Sequence, residues 1–391
     1  MIKSKLSFAV TVLAIGLMLA LGLVLGLGRG GSAHIASASG LIDDALTDFE
    51  LGSGCFVAQA GTTGFDGGVV LSPTEGVNFT STELPSGWFT ASVTFSPNVE
   101  IAGGVIAVDN AKSGPLLGAD PANFYTTPRV LEFVATFTST HDQHIGLAQN
   151  LSLDLPFGIF STWGTSGQFY ARTYTPTGTY TYTELSSSYL GSPHHYRIEW
   201  SASGMAYLVD GAVVASHPVA LTGIRLRPQI FDSNEAGDVL TVDWLRMSDY
   251  APSPCTFTSR VIDSGLNGST FTGLSTTLAT PAGTSIAFDV ITSTDGVNWG
   301  TWTAINLDGT FSVGAARYLQ YRATLSTSDP LVTPEVQTVQ VHGFGPPPTA
   351  VSVAAFSAHA ADSGERELLG LGGLLLLVGV PSMMRRRRIR R

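Results

Sequence analysis

The stretch HHYRIEWSASGMAYLVDGAVVAS, His194–Ser216, decides the reading of this chain. Tyr196, Ile198 and Trp200 alternate with Arg197 and Glu199, the period-2 pattern of a strand buried on one face. Ser201-Ala202-Ser203-Gly204 supplies turn chemistry. Ala206 and Leu208 continue in a returning strand, and the tight turn Val209-Asp210-Gly211 feeds another, Ala212–Ser216. Outward from this hairpin, short apolar runs recur between Gly, Pro, Asn and Ser clusters. Strands are predicted over 65–71, 88–95, 99–108, 129–138, 145–151, 158–162, 168–174, 179–185, 226–232 and 239–247. Many short strands with regular turn signals predict an all-β sandwich.

The pattern Y-x-I-x-W followed by Y-x-V-D-G resembles the concanavalin A-like lectin/glucanase superfamily, in particular family 16 glycoside hydrolases and laminin G-like modules. The resemblance implies a jelly-roll β-sandwich over residues 39–250, with this hairpin in the curved sheet that forms a sugar groove. Thr47-Asp48-Phe49 is similar to the opening of such modules, and VLTVDWLRM, 239–247, to their closing strand. After the linker Tyr250–Pro254, residues 251–345 resemble a jelly-roll-like accessory module of bacterial surface proteins, most specifically in RYLQYRATL followed by Thr-Pro. A smaller second β-sandwich is expected there.

Charged residues make up 13% of the 391, against ~25% in an average soluble protein, while glycine (44) and proline (20) are frequent. The net charge of −10 hides an asymmetry. Residues 1–38 and 385–391 hold nine bases and no acid, leaving eleven bases against thirty acids between them, a balance of −19. So acidic a body repels phosphate backbones, and nucleic acid is not expected as a partner.

Both ends carry membrane signals. Lys3 and Lys5 precede the apolar run Leu6–Leu27, and Ala36-Ser37-Ala38 fits signal cleavage, so residues 1–38 read as a signal peptide or an uncleaved signal anchor. Residues 346–367 form a Pro/Ala/Ser stalk, 368–384 an apolar helix of spanning length, and 385–391 (RRRRIRR) a basic cytoplasmic tail. This tail resembles bacterial sorting signals removed by a sortase-like protease, without LPxTG or Pro-Glu-Pro. The expected setting is the cell surface, with the ectodomain outside.

The resemblance to family 16 implies a catalytic strand of pattern E-I-D-x-x-E, whose alternate carboxylates perform retaining hydrolysis. In the order of strands its place falls on His144–Gln149, where His144, Gly146 and Gln149 replace all three carboxylates. Asp142 and Asp154 lack the spacing and read as turn acids, Glu132 has no obvious carboxylate partner, and His141 and His144 read as a polar loop pair. No catalytic residue is expected.

Sugars are held by aromatic faces helped by amides, carboxylates and arginine. Trp163 precedes a strand with Tyr170, Arg172 and Tyr174 on one face. The next carries Tyr180, Tyr182 and Glu184 on one face, and the turn between them decides whether the two faces coincide. These seven residues are the candidate ligand site, beside the alternative that they are ordinary cross-strand pairs. In the second module Trp299 and Trp302 read as packing residues. Asp295-Gly296 and Asp308-Gly309 read as turns, with structural calcium an outside alternative, and no cofactor or metal is expected. Cys55 and Cys255, the only cysteines of an exported chain, are expected to pair. Together these readings give a surface-anchored, non-catalytic binder of glycan or cell-envelope polysaccharide. A glycoside hydrolase with displaced carboxylates and a purely structural envelope protein are the alternatives.

Overall fold

The computed structural model describes residues 41–59, 67–93, 98–115, 120–149, 155–234 and 238–343. The expected signal, stalk, membrane segment and basic tail, and also Asp154, lie outside them. No helix among the described residues is long and apolar enough to cross a membrane.

The central region is all-β, two eight-stranded antiparallel sheets packed face to face. The first sheet runs Ala212–His217, Gly204–Val209, His194–Ser201, Arg129–Thr136, Leu240–Tyr250, Val105–Asp109, Asn98–Ala102, with Pro73–Val77 also on Leu240–Tyr250. The second runs Tyr180–Leu185, Phe169–Tyr174, Phe157–Thr162, Gln143–Ala148, Arg225–Asp232, Ala111–Pro115, Trp88–Ser92, with Tyr125–Thr126 also on Arg225–Asp232. We call the first the braced sheet and the second the aromatic sheet.

Alternation along each strand builds the core. Tyr196, Ile198 and Trp200 point inward and are at most 1% exposed. Tyr196 stacks on Phe133 at 5.3 Å and meets Phe160 edge-on at 4.9 Å; Phe160 meets Tyr207 at 5.3 Å. Each such buried side chain contributes roughly 1.5–3 kcal/mol. This corrects one expectation. The Tyr-x-Ile-x-Trp hairpin lies in the sheet opposite the candidate site residues, and its aromatic side chains are core. Period 2 says that one face is buried, but not which sheet the strand joins.

A second sandwich has its own core, with Phe49, Phe257, Tyr321 and Val339 buried and Phe49 meeting Phe257 at 6.1 Å. One sheet runs Cys255–Thr258, Tyr318–Thr327, Thr284–Ser293, Thr303–Ala304; the other runs Ile42–Asp43, Glu335–His342, Gly67–Val70, Phe56–Gln59, with Gly273–Ala279 also on Glu335–His342. Residues 42–59 and 67–70 therefore belong with the second sandwich, not with the first as the boundary at 39 implied. Ile42 pairs with Gln340 and Val70 with Glu335. Asp43, 1% exposed, accepts hydrogen bonds from Tyr321 (2.7 Å) and Arg260 (2.7 Å). The first sandwich is thus an insertion between Leu71 and Tyr250, whose ends meet in the pair Pro73 and Tyr250. The physical reason is that a short apolar strand reads the same whichever sheet receives it.

Cys55 and Cys255 are joined, as expected, with Cα atoms 5.7 Å apart. The bond fastens the leading segment to the second sandwich, beside the bridge between Ser53 and Thr258, and so ties the neck of the insertion.

Candidate functional site

The turn after Tyr174 settles whether the two candidate faces coincide. Thr175 N–H donates to Thr179 O (2.9 Å), Thr179 N–H to Thr175 Oγ1 (3.0 Å), and Gly178 takes φ +86°, a conformation that favours glycine. The resulting register sets Tyr170 opposite Glu184, Arg172 opposite Tyr182 and Tyr174 opposite Tyr180. Directly paired residues share a face, so six of the predicted residues stand on one outer face. Trp163, just beyond the neighbouring strand, lies against them, 6.2 Å from Tyr170 and 6.1 Å from Tyr180.

Following the pairing across the sheet gives three ranks. The middle one is Gln229, Gly146, Ile159, Arg172, Tyr182. On one side lies Phe231, His144, Ser161, Tyr170, Glu184, and on the other Arg227, Ala148, Phe157, Tyr174, Tyr180. The sheet thus brings together the tyrosine hairpin and the strand proposed for lost carboxylates.

Arg172 is the centre. Its guanidinium carbon lies 4.5 Å from the Trp163 ring centre, 5.4 Å from that of Tyr180 and 5.5 Å from that of Phe157. It donates to Tyr180 Oη (2.9 Å) and Ser161 Oγ (3.1 Å). Tyr180 stacks on Tyr182 at 5.3 Å and lies 5.2 Å from Tyr174. The cation–π contacts fix the rings, and the outermost stay accessible: Trp163 is 41% exposed and Tyr182 55%.

The three degenerate positions behave differently from acids. His144 is buried, shares a hydrogen bond with Ser161 Oγ (2.7 Å) and stacks on Phe231 at 5.4 Å. Burial, with a smaller contribution from the Arg172 charge, pushes its pKa down to about 3. It is neutral at neutral pH and holds no proton for a leaving group. A Cβ at Gly146 would come within 2.3 Å of Gly158 O, so no carboxylate fits there without a backbone shift. Gln149 lies beyond the end of the strand, its N–H donating to Pro156 O (3.2 Å).

The one carboxylate in these ranks is Glu184, exposed on the edge strand. Asp142 occupies a turn at φ +66° and hydrogen-bonds His141 Nδ1 (2.7 Å). Glu132, read as having no obvious carboxylate partner, lies on the braced sheet and accepts from Arg197 (2.9 Å) and Tyr250 (3.2 Å). Burial raises its pKa, but Arg197, His195 and Arg246 outweigh that and hold it below the usual range. In the second sandwich Trp302 lies under Arg322, 4.7 Å from ring centre to guanidinium. Asp295 and Asp308 accept from the backbone N–H groups of Val297, Asn298 and Thr310. Among the described residues no three His, Cys, Asp or Glu side chains group as metal ligands.

Sequence reasoning missed Arg227, Gln229 and Ser161. A signal existed: in Arg225–Asp232 the polar Arg225, Arg227 and Gln229 alternate with Leu226, Pro228 and Ile230, marking a strand polar on its outer face.

No family model matches the chain, and no curated protein matches it. Among solved structures it is similar to a β-1,3-glucanase from Mycobacterium marinum (13% identical, covering 45% of this chain and 98% of that one, TM-score 0.33). It is also similar to the endo-β-1,3-glucanase of Pyrococcus furiosus (10%, 45% and 94%, TM-score 0.34) and to a pseudo β-1,3-glucanase of Mycobacterium tuberculosis (14%, 45% and 98%, TM-score 0.34). Likenesses at this score decide neither the fold nor the chemistry of this chain, which rest on its own strand order and residues.

Proposed function

We propose that this protein binds carbohydrate without hydrolysing it, through the outer face of the aromatic sheet, while anchored at the cell surface by its terminal apolar segments. The observation that carries this reading is the coincidence of the two tyrosine faces around Arg172, with Trp163 and Tyr182 left exposed. Flat rings open to solvent stack on the C–H faces of sugars, and Arg172, Glu184 and the tyrosine hydroxyls supply polar contacts for orientation.

Retaining hydrolysis needs two carboxyl groups ~5–5.5 Å apart, one of them protonated. The ranks offer Glu184 alone, and His144 is kept neutral. The test is a glycan array probed with residues 39–345, alongside an assay of reducing-sugar release from the glycans bound. Binding that falls on Trp163→Ala, with no sugar released, is the expected result. Sugar release abolished by Glu184→Gln supports the hydrolase instead, and an array without signal supports a purely structural role.

A further inference from the structure

The arginines divide sharply by location. Arg129, Arg197, Arg260, Arg317 and Arg322 each lie 2.6–2.9 Å from a carboxylate oxygen. Arg246 sits in the field of Glu132. On the aromatic sheet Arg172, Arg225 and Arg227 have no carboxylate partner among the described residues. Arg225 donates through Nη1 to the carbonyl oxygens of Ala122 and Phe124. Arg227 is 5% exposed and its guanidinium lies 4.6 Å from the Phe124 ring centre; among the described residues it donates to Pro115 O (3.1 Å), and its Nε–H has no partner. Burial lowers its pKa, as for a cation held without a counter-charge. In the middle rank Gln229 is fully buried, with neither its amide oxygen nor its amide nitrogen hydrogen-bonded.

A buried cation without a counter-charge and a buried amide without partners are both costly. The body of the chain has thirty acids for eleven bases, so unneutralised arginine is not a surplus here. Both features fall on the face that carries the aromatic rings. Arg172 stands nearest the exposed rings; Arg227 lies three strands deeper, roughly 14 Å across the sheet, with Gln229 beside it.

We infer that the ligand of this face is an acidic glycan, whose ring faces lie on Trp163 and Tyr182 and whose anionic groups are received by Arg172, with the buried, unneutralised charge of Arg227 behind it. This rests on the carbohydrate reading above and narrows it to a class. Carboxylate and sulfate share the chemistry: planar guanidinium donates in pairs to either. The acidic body repels a polyphosphate chain and an acidic glycan alike, and what favours the glycan is its sugar faces, which a polyphosphate chain does not offer as accessibly to the rings.

The test measures binding of the full-length protein in detergent to immobilised polygalacturonate, dextran sulfate, laminarin and single-stranded DNA. Expected is binding to one acidic glycan at least about tenfold tighter than to laminarin, weakening as salt rises from about 0.1 to about 0.5 M. The polygalacturonate and dextran sulfate arms separate carboxylate from sulfate. Arg172→Gln should lose about tenfold. Glu184→Gln, an exposed change that cannot fail through folding, should tighten binding about threefold by removing the one opposing charge. Arg317→Gln, in the second sandwich, should change nothing. Laminarin bound as tightly as the acidic glycans, with Glu184→Gln without effect, overturns the acidic ligand and leaves the carbohydrate reading standing. Single-stranded DNA bound as tightly as the acidic glycans also overturns it. Failure on every glycan array sinks the carbohydrate reading itself.

Discussion

On one outer face of the inserted sandwich, Arg197 lies 2.9 Å from Glu132, Tyr250 donates to the same carboxylate, and Arg246 rests 3.8 Å over Trp244 and donates to Gln59 O. On the other, Arg172 rests against three aromatic rings with no carboxylate at ion-pair distance among the described residues. The first face is closed by the chain itself: Val70, Leu331, Val332, Thr333 and Glu335 join those residues around a cleft of about 300 Å³. The second has exposed rings at its edge. The difference teaches that this chain neutralises charge where its own parts meet and leaves it unneutralised on the face we propose for a ligand.

The most drastic way to break the closed face is to cut its brace. Cys255→Ser opens a covalent loop spanning 200 residues, and should cost up to about 5 kcal/mol in the chain-entropy model. Calorimetry should record a large fall in Tm, while glycan binding below that temperature persists, because the inserted core is untouched. An unchanged Tm would mean that the closed face holds without it.

Acid should act next, and through the open face. Native His144 has its pKa pushed down to about 3, from an ordinary 6.5. Between these values the unfolded chain binds the proton that the native chain refuses, so stability falls as pH falls from about 6.5 toward 3. The total is on the order of 4 kcal/mol. His144→Asn should flatten melting temperature against pH in that window. Glu132 is shifted in the same direction for a different reason, neighbouring cations rather than burial: its folded pKa is depressed, so its contribution is full above about 4.5 and is lost as pH falls through the lower folded value. What acid sensitivity remains in His144→Asn below about pH 4.5 should therefore come from carboxylates with depressed folded pKa values, Glu132 on the closed face and Asp263, Asp295 and Asp308 in the second sandwich.

At neutral pH, Glu132→Gln leaves Arg197 and Arg246 facing one another and should cost about 3 kcal/mol. Adding Arg197→Met should recover part of that in a denaturant titration; no recovery would show that the ion pair is not the reason for the loss. The smallest effect on stability belongs to the rings. Trp163→Ala and Tyr182→Ala, both at exposed positions, should each change stability by less than about 1 kcal/mol and weaken glycan binding by about tenfold.

Much of the strand pattern was legible because alternation is local. Arg129–Thr136, Phe169–Tyr174 and Tyr180–Leu185 fall within a residue or two of their predicted spans. Ala111–Pro115 was not legible, since Ala-Lys-Ser-Gly-Pro reads as a loop and becomes a strand only between Trp88–Ser92 and Arg225–Asp232. The destination of the strands in 42–59 and 67–70 was hidden for the same reason: sheet membership is settled by partners far along the chain. At the candidate site, residue types were readable and register was not. The coincidence of the Arg172 and Tyr182 faces depends on the turn at Thr175–Thr179, and Arg227 with Gln229 reached the site only through pairing with the His144 strand.

The tied neck also has a mechanical consequence. Tension applied between residues 41 and 343 runs from 41 to Cys55, crosses the sulfur–sulfur bond, and continues from Cys255 to 343. The chain from 56 to 254, which includes the whole inserted sandwich, lies outside that load path. Stretching the protein by its ends cannot unravel the aromatic sheet, however hard the pull, until the covalent bond itself is broken. A load that enters through the aromatic face instead leaves the inserted sandwich by both of its connections at once, shared between two strands side by side.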